Sequence, residues 1–172
     1  MTELHETVLA RFAGHHDHCA VSKGRTDTTY AELYHRMALL QRQISGKVAV
    51  GILSTRCLEA YVAVLCCFVS GIKFVPMNPA LPRERLLKIA EAGDVEIIVG
   101  DESTVERALD LGLPVTDLFS DNHPAGAEIE QLQTGQIEPS AVAYQMFTSG
   151  STGVPKGVPI SYASLSHYVK AI

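Results

Sequence analysis

Between Thr29 and Val115, short β-branched runs alternate with segments of helical periodicity, and this alternation limits the fold more than anything else in the chain. Thr29 to Ile44 carries Tyr30, Leu33, Tyr34, Met37, Leu40 and Ile44 at helical spacing behind a Thr29-x-x-Glu32 capping box. Lys47 to Leu53 reads as a strand buried on both faces. Arg56 to Ser70 is apolar on nearly every side, as a helix packed between layers would be, and it stops at Gly71. Lys73 to Val75 forms the next strand, and Pro76 and Pro79 are expected to force an irregular exit from it. Pro82, at a first helical position, and Gly93 bracket a helix with Leu86, Leu87 and Ile89; Val95 to Val99 is the strand after it. A second capping box, Ser103-x-x-Glu106, opens a helix to about Leu111, and Pro114-Val115 begins one more strand. Parallel neighbours need crossover helices, so this order predicts an α/β fold: a layered, largely parallel sheet flanked by helices.

The polar stretch Asp117 to Pro139, with Gly126, Gly135, Pro124 and Pro139, breaks the rhythm and reads as a long surface connection. Ala141 to Phe147 is then a strand, Val158 to Ser161 another, and Ser164 to Ile172 a helix with Leu165, Tyr168, Val169 and Ile172 at helical spacing and no stop signal.

Composition removes several function classes. A chain of 172 residues with 47% hydrophobic content suits one domain with a sizeable core. The net charge of -5 and the lack of a basic run argue against a nucleic-acid partner. The longest apolar run, Ala60 to Val69, is far short of the roughly 20 residues that span a bilayer. The acidic N-terminus resembles no export signal, which makes the cytoplasm the expected location. Cys19, Cys57, Cys66 and Cys67 lack Cys-x-x-Cys spacing and read as structural residues. His15-His-Asp-His-Cys19 has metal-ligand residue types, yet adjacent histidines in an N-terminal connection rarely converge on one ion, so no metal site is expected there.

Between the last two strands lies Thr148-Ser-Gly-Ser-Thr-Gly-Val-Pro-Lys-Gly157. Gly150 and Gly153 allow backbone turns that aim successive N–H groups into a concavity, Thr148, Ser149, Ser151 and Thr152 add hydroxyl donors, and Lys156 adds a full charge. That donor set fits a polyphosphate and so a nucleoside triphosphate. No Gly-x-x-x-x-Gly-Lys-[Ser/Thr] is present, so the loop is not the common P-loop. By composition alone such a cluster also reads as a flexible linker; the strand-like flanks favour a held loop.

Thr148 to Gly157 resembles the signature loop of the adenylate-forming superfamily, which includes acyl-CoA synthetases, luciferases and the amino-acid adenylation domains of nonribosomal peptide synthesis. Thr28-Thr-Tyr-Ala-Glu-Leu33 resembles the family's Leu-Thr-Tyr-x-Glu-Leu motif. Gly71-Ile-Lys-Phe-Val-Pro-Met-Asn-Pro79 with Pro82-Arg-Glu-Arg-Leu86 resembles Gly-Ala-x-Tyr-Val-Pro-Leu-Asp-Pro followed by Pro-x-Glu-Arg-Leu. Ser151 and the Val-Pro-x-x-Pro segment are most similar to amino-acid adenylation domains and D-alanine–carrier protein ligases. Asn78, Phe74, Leu81 and Tyr162 depart from the usual Asp, Tyr, Tyr and His.

The resemblance implies that residues 1–172 are the N-terminal subdomain of an AMP-forming ligase whose remaining core and C-terminal domain lie beyond Ile172. It implies ATP and Mg2+ as cofactors, a small carboxylic or amino acid as substrate, and a carrier-protein or coenzyme A thiol as acceptor. Thr148, Ser149, Gly150, Ser151, Thr152, Gly153 and Lys156 would bind the ATP phosphates, and no catalytic side chain is expected among these residues. The piece alone is expected to form no adenylate and to expose apolar surface. The competing readings are a non-catalytic folding or interaction subdomain, and an acyl-CoA synthetase in place of an amino-acid-activating enzyme.

Overall fold

The structure, a computed structural model, describes residues 3–24, 26–55, 57–117, 131–148 and 155–171. In chain order the elements are α1 (Glu3–Gly14), β1 (Cys19–Lys23), β2 (Thr26–Thr29), α2 (Tyr30–Ile44), β3 (Ala49–Leu53), α3 (Leu58–Ser70), β4 (Lys73–Met77), α4 (Arg83–Ala92), β5 (Ile97–Gly100), α5 (Val105–Asp110), β6 (Val115–Asp117), β7 (Val142–Thr148), β8 (Lys156–Ser161) and α6 (Tyr162–Lys170). A six-stranded sheet has the order β6-β5-β3-β4-β7-β8, and β1 and β2 form a separate ribbon. Every neighbouring pair in the large sheet is parallel except β7 with β8. The expected α/β layering with a largely parallel sheet is therefore present.

Side chains leave a strand on alternate faces, and the two cores follow that period. Val50 and Ile52 of β3, Phe74 of β4 and Ile97 and Val99 of β5 join Leu33, Met37, Leu40 and Ile44 of α2 and Val62, Cys66 and Val69 of α3. Leu53, Val75, Met77 and Ile98 point the other way, onto Leu86 and Ile89 of α4 and Ala108 of α5. Helices thus cover both faces, which is why the central strand β3 has no polar side and is buried along its whole length.

Local chemistry sets the element ends. The Thr29 hydroxyl accepts from the Glu32 N–H at 3.2 Å while the Glu32 carboxylate accepts from the Thr29 N–H at 2.8 Å, the capping box legible in the sequence. Gly71 closes α3 at φ 74, a left-handed conformation that a β-carbon disfavours. Cys66 and Cys67 are fully buried; the Cys66 thiol donates to the Met37 carbonyl at 3.3 Å, and burial pushes its pKa up to about 12.

Several expectations are corrected. β4 runs through Pro76, which sits opposite Ile52, instead of breaking before it. Proline lacks only a donor and its φ suits extended backbone, and toward β7 the ladder is limited to the single pair Phe74 with Tyr144. Pro82 is the cap before α4 rather than its first helical residue. Ser103 does not cap α5: its N–H donates to the Asp101 carboxylate at 2.9 Å, its hydroxyl is taken by the same group, and the helix starts after Thr104. Residues 131–139 are more than a surface connection. The Gln41 side-chain amide exchanges hydrogen bonds with the Gln133 backbone at 2.7 and 2.8 Å, and Leu132 and Ile137 are buried in the core. Residues 118–130 lie outside the described residues. α6 starts at Tyr162, two residues before the expected Ser164, because the Ser161 hydroxyl accepts from the Ser164 N–H at 3.2 Å; Ile172 is not among the described residues.

Two elements were not foreseen, α1 and the β1–β2 ribbon. α1 is held by His5, a fully buried residue whose Nε2–H donates to the Val69 carbonyl at 3.0 Å and whose ring lies 4.6 Å from that of Phe68 and 6.1 Å from that of Tyr162. Burial lowers its pKa below the ordinary 6.5, outweighing the bond to Val69. In the window between that lowered value and 6.5 the unfolded chain binds the proton first, so stability falls as pH drops through it. The urea midpoint is expected to be lower at about pH 5.5 than at about pH 7.5. The substitution His5→Phe, which keeps the aromatic packing, is expected to flatten that difference.

Candidate functional site

All the loops of interest gather at the carboxyl edge of the sheet. β3 connects through α3 to β4 on one side, whereas β5 lies on its other side and leads through α5 to β6. The two connections cover opposite faces of the sheet, so the chain splits between β3 and β5, the kind of switch point where parallel sheets open a crevice. Asp101 closes that split. Its carboxylate accepts from the Ser54 hydroxyl at 2.6 Å, the Thr55 N–H at 2.8 Å and the Ser103 N–H at 2.9 Å. Burial raises its pKa, but the hydrogen bonds from Ser103, Ser54 and Thr55 outweigh it and hold the carboxyl well below the usual range. Its role is not legible in the sequence, because two of its donors, Ser54 and Thr55, lie more than forty residues away.

The hydroxyl-rich segment joins β7 to β8 and is therefore the turn of an antiparallel hairpin on the outer edge of the sheet. Thr148 stands opposite Lys156 at its base, Phe147 opposite Gly157. The Thr148 hydroxyl lies 3.5 Å from the Lys156 carbonyl, and the Arg85 guanidinium of α4 donates to the Thr148 carbonyl at 3.2 Å. Among the described residues Lys156 makes no ion pair, so its charge is open to a ligand. A β-carbon at Gly157 would sit 2.1 Å from Gln145 Nε2, so the glutamine side chain would have to swing aside to admit one. Ser149, Gly150, Ser151, Thr152 and Gly153 lie outside the described residues. The structure thus brings together Thr148 and Lys156 of the predicted set. It adds Arg85, whose signal was its place in the Pro82 to Leu86 motif.

Beside the hairpin a cavity of about 460 Å³ opens at the ends of β3, β4 and β7, lined in part by Ser54, Thr55, Met77, Asn78, Met146 and Phe147. The Asn78 Oδ1 accepts from the Ala80 N–H at 2.9 Å, a local turn that an aspartate could form equally. Phe74 stacks on Tyr144 at 5.3 Å, tying β4 to β7. Tyr162 is fully buried with its hydroxyl donating to the Phe68 carbonyl at 3.3 Å, and burial raises its pKa, so it is a packing residue.

The histidine-rich segment forms a turn in which the His18 N–H donates to the His15 carbonyl at 3.0 Å and the two rings meet edge to face. Among the described residues no trio of His, Cys, Asp or Glu side chains is placed to hold a metal ion. No helix among them is long and apolar enough to cross a membrane.

Fold and loop position together define a class, the α/β proteins that take a ligand at the carboxyl edge of a parallel sheet. Residues 8–172 match the family model described as AMP-binding enzyme, and the chain belongs to that family. It is 31% identical over 163 residues to bacitracin synthase 1 of Bacillus licheniformis, covering 91% of this chain and 3% of that protein. It is 35% identical over 153 residues to surfactin synthase subunit 2 of Bacillus subtilis, covering 84% of this chain and 4% of the relative. The chain therefore spans a small part of these relatives. Among solved structures it is similar to the Vibrio cholerae adenylation domain AlmE in complex with glycyl-adenosine-5'-phosphate, with a TM-score of 0.82 and 22% identity over 98% of this chain and 37% of that one, a likeness of fold. It is also similar to the O-succinylbenzoate coenzyme A synthetase of Bacillus subtilis in complex with ATP and magnesium, with a TM-score of 0.71 and 26% identity over 95% of this chain and 44% of that one.

Proposed function

We propose that residues 1–172 form the N-terminal subdomain of an ATP-dependent, AMP-forming ligase that activates a small amino acid. In that reaction a carboxylate oxygen bonds to the α-phosphorus of ATP as the bond to the departing pyrophosphate breaks, giving an acyl-adenylate. A carrier-protein thiol then takes the acyl group and releases AMP. The observation that carries this reading is the carboxyl-edge hairpin in which Lys156 faces Thr148 without a carboxylate partner among the described residues. The similarity to nonribosomal synthetases and to an adenylation domain with a glycyl adenylate supports it.

On this reading the hydroxyls of Thr148, Ser149, Ser151 and Thr152 and the N–H groups around Gly150 and Gly153 hold the β and γ phosphates, while Lys156 meets the charge that grows on the leaving pyrophosphate. Arg85 is a positioning residue that fixes the first carbonyl of the loop. The donor set fits a polyphosphate and offers no carboxylate ligands, so magnesium fits here as an ion carried by the nucleotide, where it would neutralise phosphate charge. The 26% identity to a coenzyme A synthetase favours a second reading, in which the same adenylate passes to coenzyme A.

The test is pyrophosphate exchange into ATP by the natural polypeptide at full length, with each amino acid in turn. One or a few amino acids are expected to drive exchange, and residues 1–172 alone to support none. Exchange with no amino acid or other carboxylic acid would remove the proposal, and discharge to coenzyme A in place of a carrier thiol would select the second reading. Arg85→Ala is expected to raise the KM for ATP by up to about tenfold, from the loss of one charge-assisted hydrogen bond, with Arg85→Lys recovering part of it.

A further inference from the structure

A second cavity, of about 560 Å³, lies between α1, the β1–β2 ribbon and α3. Its size falls in the roughly 300–1,000 Å³ range of small-molecule pockets. Val8, Phe12, Val21, Leu33, Tyr61 and Leu65 give it an apolar wall. Among the described residues its charged lining consists of Arg11 and Lys23, both cationic, although the chain as a whole carries a net charge of -5. Among the described residues neither makes an ion pair. Tyr61 remains 49% exposed, so a large aromatic side chain on the cavity wall is left without full cover. On the far side of Lys23 the surface turns acidic, with Glu59, Asp101 and Glu102, which favours a ligand anion on the Arg11 side. The cavity shares no lining residue with the one beside the hairpin.

We propose that this cavity is an ancillary binding site for an aliphatic carboxylate of medium chain length, separate from the acid that is adenylated. The chain lies against the apolar wall, and the carboxylate meets Arg11 with Lys23 at the rim. Neither end alone would select such a ligand: the wall supplies non-directional burial, and the cationic lining supplies the sign of the headgroup.

The probe is decanoic acid carrying a terminal diazirine, photolysed with the natural full-length polypeptide and mapped by peptide mass. Label is expected in the segments that carry Val8 to Phe12, Ala20 to Lys23 and Leu58 to Leu65. Decanoate is expected to compete for it, and decyltrimethylammonium, with a chain of equal length and the opposite charge, is not. Arg11→Glu with Lys23→Glu is expected to weaken labelling by about tenfold or more, and Ala20→Phe, which fills the cavity, to remove it. Equal competition by the cationic chain, or label absent from these segments in the unaltered protein, overturns the proposal without reference to any variant. The readout does not depend on adenylation, so failure here leaves the exchange result untouched.

Discussion

Lys156→Ala is expected to lower amino-acid-dependent pyrophosphate exchange by about 10²–10³-fold, the usual loss when one preorganised charge-stabilising donor is removed from a reaction centre. The lysine follows Pro155 at the start of β8, paired with Thr148, so its backbone is held by the ladder rather than by the loop. Alanine there should leave the hairpin folded, and the loss belongs to the charge alone. The effect should fall on kcat as well as on the KM for ATP, because charge on the leaving pyrophosphate grows toward the transition state. Lys156→Arg should recover part of the rate, since charge returns with a different donor geometry. Full activity in a Lys156→Ala, Thr152→Ala double variant would end the assignment of this loop to phosphate.

Asp101→Ala is expected to cost about 2 kcal/mol of stability, because three part-buried donors lose one buried acceptor together. The Ser54 hydroxyl and the Thr55 N–H come from the loop after β3, and the Ser103 N–H from the loop after β5. The carboxylate therefore ties together the two loops that leave β3 and β5 toward opposite faces. Its folded pKa lies below the ordinary 3.8, so its contribution is fully present above that value and fades as pH falls through the folded one. Asp101→Asn should accordingly show a weaker dependence of the urea midpoint on pH in that acid window. Equal midpoints for Asp101→Ala and the unaltered chain across it would show that the loops hold without this residue.

Strands and helices from β3 to β5 were legible because hydrophobic period and length agree there: a run buried on both faces between amphipathic helices leaves little choice. The Thr29 box was legible because both partners lie within one turn. The Ser103 box was misread for the opposite reason, since Asp101 nearby competes for the serine and its other ties reach across to Ser54 and Thr55. α1 carried a signal in Leu4, Val8 and Phe12 at intervals of four, but its anchor is a buried histidine, a residue type that does not advertise burial. The hydroxyl-rich segment stood out by residue type, and its proposed phosphate role rests on that. That it is the turn of an antiparallel hairpin, with Arg85 fixing its base, depends on strand order and is not written locally.

The pairing of β7 with β4 rests on a single registered pair, Phe74 with Tyr144, while β7 and β8 are joined along their length. The hairpin is thus stiff in itself and lightly attached to its neighbour. Its side chains nonetheless enter both hydrophobic layers, Ala143 and Tyr144 one and Phe147 the other, so a shift of the hairpin is felt by the core on both faces. On the proposed function, amide exchange in β7 and β8 should respond to ATP more strongly than that in β3 and β5.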